Sequence, residues 1–199
     1  MKPTQEGYVP SHENFAVEFL PGEFSSYLKT NKAFKAGEVL AYLEGLTKGP
    51  RAYTSVQCGP GVNDHVELNS DLVYVNHSCS PTIAFDMSSS DSSKWHVRAL
   101  EDLEAGAAIT FFYPSSEWDM DQAFDCQCGS PNCYGRIQGA AYLSKEDLQK
   151  QKWINPWIWR LVEQREDSKK ASTSCLSCGH GTSALDASSV CGCKKTIST

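Results

Sequence analysis

Between residues 15 and 113 the apolar residues come in short runs, each broken by Gly, Pro or a polar cluster before a helical period can develop. Phe15-Ala-Val-Glu-Phe-Leu20 stops at Pro21-Gly22, and Val39-Leu-Ala-Tyr-Leu43 follows Lys35-Ala-Gly37. Alternation, β-branched and aromatic content and flanking breakers predict strands in both. Tyr53 to Gln57, Leu72 to Val75, Ile83 to Phe85, Trp95 to Leu100 and Ile109 to Tyr113 read the same way, and the polar stretch from Ser88 to Lys94 predicts a hairpin turn between two of them. Many short strands at this spacing point to a mainly β, mostly antiparallel domain.

The pattern changes at Ser144. Its hydroxyl can cap a helix, Asp147 stands three residues on, and Leu148, Trp153, Ile154, Ile158, Leu161 and Val162 recur near a helical period interrupted by Pro156. Two helical pieces are expected, Lys145–Lys152 and about Pro156–Arg165, with Trp153, Trp157 and Trp159 packing on the β-domain. Glu166 to Ser174, charged and Ser-rich, reads as a linker. The expected organisation is a main domain over 15–142, a helical extension over 143–167 and a small tail over 168–199.

Composition narrows the function classes. The 199 residues suffice for one core plus an appendage. Lys and Arg number 18 against 24 Asp and Glu, a formal charge of −6, with no basic run longer than a Lys-Lys pair. The electrostatic footprint of a nucleic-acid binder is missing, and a cationic partner suits this surface better. No apolar stretch has the length of a bilayer span and the first residues lack a charged-then-apolar leader, so an intracellular protein of nucleus or cytoplasm, monomeric and off the membrane, is expected.

The nine cysteines sort as four, four and one. Cys79 groups with Cys126, Cys128 and Cys133, which form a C-x-C-x4-C cluster, Cys175 and Cys178 with Cys191 and Cys193 form a C-x2-C and C-x-C pair, and Cys58 stands alone. Such Gly-flanked spacings are those of thiolate metal sites rather than of loop-stapling disulfides. His180, just past Cys178, is a further candidate ligand in the tail.

Three segments then occur in a telling order: Asn76-His77-Ser78-Cys79-Ser80-Pro81, the run Ile109-Thr110-Phe111-Phe112-Tyr113, and Cys126-Gln127-Cys128-Gly129-Ser130-Pro131-Asn132-Cys133. Together they resemble a SET domain with its post-SET zinc cap, the fold of S-adenosylmethionine-dependent protein lysine methyltransferases, over about residues 15 to 142. The resemblance implies a pseudoknotted β fold, S-adenosylmethionine and zinc as cofactors, and a lysine side chain of a protein or peptide as acceptor. It assigns Asn76 and His77 to cofactor binding, with Ser26 and Tyr27 at the cofactor turn and Phe124 or Trp118 over the adenine. Tyr113 matches the catalytic Tyr, and Phe111 the position that sets how many methyl groups fit. Cys79 becomes the fourth thiolate beside Cys126, Cys128 and Cys133, and the tail cysteines a second zinc site. The chain departs from the family at Ser25-Ser26-Tyr27, where a Gly-x-Gly turn is usual, and at Ala107, Ala108 and Phe112, where acids are usual. Two other readings stand beside this one: a SET scaffold serving a small-molecule reaction, and a non-catalytic SET module that binds peptide or cofactor.

Overall fold

The computed structural model describes residues 5–176, with side chains to residue 171. Twelve strands and two helices are found among them: β1 (Phe15–Glu18), β2 (Tyr27–Thr30), β3 (Val39–Tyr42), β4 (Thr47–Gly49), β5 (Ser55–Gln57), β6 (His65–Glu67), β7 (Asn76–His77), β8 (Ile83–Asp86), β9 (His96–Ala99), β10 (Thr110–Phe111), β11 (Phe124–Asp125), β12 (Arg136–Ile137), α1 (Lys145–Gln149) and α2 (Pro156–Leu176). The expected mainly β class holds, in the form of five small sheets. They are β1–β2, β3–β9–β8, β4–β6–β5, β10–β7 and β11–β12. All pairings are antiparallel except β10 with β7.

Period-two alternation explains the packing of the first sheet. Phe15 and Val17 of β1 and Leu28 and Thr30 of β2 face inward while their neighbours stay partly exposed. The expected 88–94 turn does join two strands, β8 and β9, in register from Ile83↔Ala99 to Asp86↔His96. Phe15, Leu28, Leu40, Ile83, Phe85, Val97, Ile109 and Phe112 then fill one core with Leu148, Ile158 and Val162 from the helices.

Several expectations are corrected. Leu72 to Val75 is not a strand: Asp71–Tyr74 forms a 3-10 turn, because the Ser70 hydroxyl accepts from the Leu72 N–H and starts a helical turn that the apolar run alone does not announce. Of Tyr53 to Gln57 only Ser55–Gln57 pairs, and of Ile109 to Tyr113 only Thr110–Phe111. Tyr113 opens a 3-10 turn through Ser115 with Pro114 inside it, a residue that fixes φ and donates no ladder hydrogen bond. The first helix ends at Gln149, short of Lys152. The second does not stop at Arg165: it continues to Leu176, so the expected linker is helical over that range. Contacts divide the chain into two units, Met1–Arg165 and Glu166–Thr199.

At the start of α1, Ser144 Oγ accepts from the Asp147 N–H at 3.0 Å. Asn155 sits just before Pro156 at the first position of α2 and is fully buried. Its amide donates to the carbonyls of Phe85 and Ser115 and its oxygen accepts from the Met87 N–H. Of the tryptophans, Trp157 is buried and donates to the Ser116 carbonyl, Trp159 packs partly buried on the core, and Arg98 stacks on Trp153 with its guanidinium 4.3 Å from the ring centre. Asn155→Ala is expected to orphan the Phe85 carbonyl and the Met87 N–H, while the backbone N–H at 155 stays on the Ser115 carbonyl, and to cost about 3 kcal/mol, read as a lowered midpoint in urea unfolding with an unchanged slope. A loss under about 0.5 kcal/mol would mean that the network does not hold α2 to the sheet.

Candidate active site and metal centre

The parallel pair β7–β10 brings two distant segments side by side, with Thr110 opposite Asn76 and Phe111 opposite His77. The ladder runs on through Ser78 N–H to the Phe111 carbonyl and Thr82 N–H to the Thr110 carbonyl, each 3.0 Å. His77 accepts at Nδ1 from the Tyr113 N–H at 3.2 Å, which leaves Nε2 as the protonated nitrogen facing Cys79 Sγ at 3.4 Å. Burial pushes this imidazole down to about 4, so it is neutral and bridges the aromatic run to the thiols.

Tyr113 Oη donates to the Val75 carbonyl at 3.1 Å, and burial, the largest influence, raises its pKa well above the usual phenol value. Phe111 lies 4.6 Å from the Tyr113 ring and 4.6 Å from Phe85, centre to centre. Phe124 closes the group edge-on, 5.6 Å from the His77 ring and 6.0 Å from Tyr113. Asn76 Nδ2 donates to the Ser26 carbonyl at 3.0 Å, joining β7 to the turn that precedes Tyr27. Thus Ser26, Asn76, His77, Phe111, Tyr113 and Phe124 are linked by direct contacts, with Tyr27 beside Ser26 at the start of β2. Trp118 packs partly buried on the core, with the Arg165 guanidinium over its ring at 5.6 Å.

That turn carries backbone strain. Phe24 is two thirds exposed and has φ of +57°, a left-handed conformation unusual for a bulky side chain. Its ring meets Tyr53 edge-on at 6.1 Å.

The ligand atoms of Cys79, Cys126, Cys128 and Cys133 all lie within 4.8 Å of one another, and Cys79 Sγ is 4.0 Å from both Cys126 Sγ and Cys133 Sγ. A tetrahedral zinc with ~2.3 Å bonds to sulfur sets its thiolates about 3.8 Å apart, so the donor set fits structural zinc. Backbone N–H groups of Tyr134 and Gly135 point at Cys79 and Cys133 sulfurs, each at 3.4 Å, as suits thiolates. Burial raises the Cys79 thiol and pushes Cys126 up to about 11. Burial acts the same way on Cys128, yet backbone N–H groups of Cys79 and Ser130 bring that thiol down to about 6. A bound cation would supply the charge that ionises the remaining thiols. The tail set Cys175, Cys178, Cys191 and Cys193, with His180, lies outside the residues whose side chains are described.

The loop that bears Cys126 to Cys133 is pinned at its base. Ala140 N–H donates to the Glu117 carbonyl, Ala141 N–H to Trp118 and Met120 N–H to Gln138, at 2.8 to 2.9 Å. Gly139 permits this approach: φ is +119° and a Cβ there would stand 2.5 Å from the Trp118 oxygen.

Reasoning from the sequence missed one part of the neighbourhood. Glu117 follows Tyr113 by one turn, its N–H donating to the Tyr113 carbonyl at 3.0 Å, and its carboxylate turns inward to β5 and β6. No local signal marks it, since its partners stand 52 and 60 positions away in the chain.

No protein-family profile matches the chain. Methyltransferase flvH of Aspergillus flavus is 40% identical over 162 residues, covering 79% of this chain and 86% of that protein. A histone-lysine N-methyltransferase, H3 lysine-4 specific, of Emericella nidulans is 39% identical over 64 residues, covering 31% of this chain and 5% of that protein. A variant-silencing SET domain-containing protein of Plasmodium falciparum is 34% identical over 105 residues, covering 45% of this chain and 4% of that protein. Among the described residues no helix is long and apolar enough to cross a membrane. Taken with the paired β7 and β10 segments and the four-thiol cluster, a likeness of this extent means that the chain belongs to the SET-domain methyltransferase family.

Proposed function

We propose that this protein transfers methyl groups from S-adenosylmethionine to the side-chain amine of a protein lysine. The observation that carries the reading is the parallel β7–β10 pair, which supports a single site made of Asn76 and His77 on one side and Phe111 and Tyr113 on the other. When bound, S-adenosylmethionine supplies an electrophilic methyl group on a sulfonium; the rest of the task falls to the chain. Asn76, the Ser26 turn, Tyr27 and Phe124 hold the cofactor, with Phe124 kept in place by the thiol cluster behind it. The rings of Phe111 and Tyr113 exclude water, which lowers the pKa of an entering ammonium and favours the neutral amine. Their faces tolerate the positive charge that remains at the transfer point. Tyr113 Oη, already fixed on the Val75 carbonyl, aligns the amine nitrogen. Phe111 presents no hydroxyl there, leaving room for more than one methyl group.

Calorimetry with S-adenosylmethionine and S-adenosylhomocysteine on the purified protein tests the first half of the reading, and both are expected to bind one per chain. Neither binding would sink the methyltransferase assignment in favour of a non-catalytic module. Transfer of labelled methyl to peptide arrays tests the second half. Labelled free amines with blank arrays would move the acceptor from protein lysine to a small molecule.

A further inference from the structure

Buried behind Tyr113 is a charged group that the proposed chemistry has not used. Glu117 is 8% exposed and His65 2% exposed. Glu117 Oε1 accepts from the Gln57 N–H at 2.7 Å, and Oε2 lies 3.6 Å from His65 Nε2. Neither ring nitrogen of His65 has a hydrogen-bond partner, so the histidine is buried with its polar atoms committed to nothing but this carboxylate. Gln57 completes the fixture: its Oε1 accepts from the Trp118 N–H at 2.8 Å and its Nε2 donates to the Gly59 carbonyl at 2.7 Å. Among the described residues no lysine or arginine makes an ion pair with Glu117. A carboxylate withdrawn this far from water costs free energy unless a cation compensates it. The Glu117 charge reaches the Tyr113 phenol, where it adds to burial in keeping the hydroxyl protonated.

We infer that Glu117, positioned by Gln57 and His65 one turn beyond Tyr113, is the counter-charge for the positive charge at the transfer site, carried first by the sulfonium of the cofactor and then by the methylated ammonium of the product. The inference rests on the methyltransferase reading. The acceptor attacks as a neutral amine while one positive charge passes from sulfur to nitrogen, and in a dry site that charge is weakly screened. A fixed anion behind the phenol offsets it without touching either reactant. Its effect scales with ligand charge: S-adenosylmethionine gains and S-adenosylhomocysteine, a neutral thioether, does not. His65 acts through Glu117 and is a positioning residue, its Nε2 standing 3.6 Å from the second carboxylate oxygen.

Calorimetry on the full chain separates these effects. In Glu117→Gln, which keeps an acceptor for the Gln57 N–H, the affinity for S-adenosylmethionine is expected to fall about tenfold while that for S-adenosylhomocysteine stays within twofold. Glu117→Asp should keep the preference within threefold of wild type. His65→Gln, which keeps a polar group facing the carboxylate, should also keep it, and His65→Leu should lose it in part. Equal losses for both ligands in Glu117→Gln, or no loss for either, would overturn the inference while leaving the methyltransferase reading intact. If wild type binds neither ligand, that reading falls and takes this one with it. Should Glu117→Gln fail to fold, Glu117→Met offers a second uncharged side chain. Failure of both beside a folded Glu117→Asp would show that the charge serves the fold and overturn its assignment to the ligands.

Discussion

Cys79→Ser is expected to remove one equivalent of zinc, abolish cofactor binding and lower the unfolding temperature by more than any surface change. Cys79 is almost fully buried and stands at the centre of the cap. Its sulfur faces Cys126 and Cys133, accepts from the Tyr134 N–H and receives the His77 ring, while its carbonyl accepts from Gln151. Structural zinc contributes its binding free energy to folding, about 10–16 kcal/mol in small zinc peptides, so a missing thiolate is felt as lost structure rather than as a local adjustment. Phe124 would lose its support, and the Nε2 of His77 would lose its acceptor. The measurements are metal content per chain, thermal unfolding with and without chelator, and calorimetry with the cofactor. An unchanged zinc content in Cys79→Ser would show that the fourth ligand lies elsewhere. Wild-type protein is expected to carry two zinc ions, and a value near one would remove the tail site alone.

Tyr113→Phe is expected to leave fold and cofactor affinity nearly intact while lowering turnover by roughly ten- to a thousand-fold, the scale of one hydrogen bond directed at a transition state. The fold should tolerate it because the Tyr113 N–H to His77 bond and the ring contacts with Phe111 and Phe124 do not involve the hydroxyl. Asn76→Ala should act differently, weakening cofactor binding first by freeing the Ser26 turn. Phe111→Tyr places a hydroxyl beside the amine and should shift products toward monomethyl without stopping turnover. Mass spectrometry of the products checks both. Full turnover in Tyr113→Phe, or identical methylation states with and without the Phe111 hydroxyl, would mean that the amine enters somewhere else.

What could be read from the sequence divides along a physical line. Signals contained within a few residues were legible: the Ser144 cap with Asp147, the 88–94 hairpin and the alternation of β1. The Cys126 to Cys133 cluster was too, because ligand spacing is local chemistry. The strands β2, β4, β6 and β7 carried no comparable mark: runs of two to four residues are too short for a period to show, and β7 is further held by β10, more than thirty residues away. Leu72 to Val75 misled because an apolar run serves a 3-10 turn as well as a strand, and the deciding group, the Ser70 hydroxyl, lies outside it. The continuation of α2 past Arg165 was hidden by polar composition that suits an exposed helix and a linker alike. His65 and Glu117 show the limit most clearly, because each is an ordinary polar residue until the fold buries it beside the other.

The parallel pairing of β7 with β10 and the close approach at Gly139 also govern how the protein is made. A chain leaving the ribosome at ~5–20 residues per second presents Asn76 roughly 3–13 s before Gly139. For the first half of that interval β7 lacks its partner β10, and for the second the loop that will bear Phe124 and three of the four thiols lacks the segment that closes its base. Parallel, non-local contacts cannot form piecemeal at the growing end. Early termination upstream of Gly139 therefore yields chains with exposed aromatic strands and an unclosed metal loop, substrates for quality control rather than feeble enzymes.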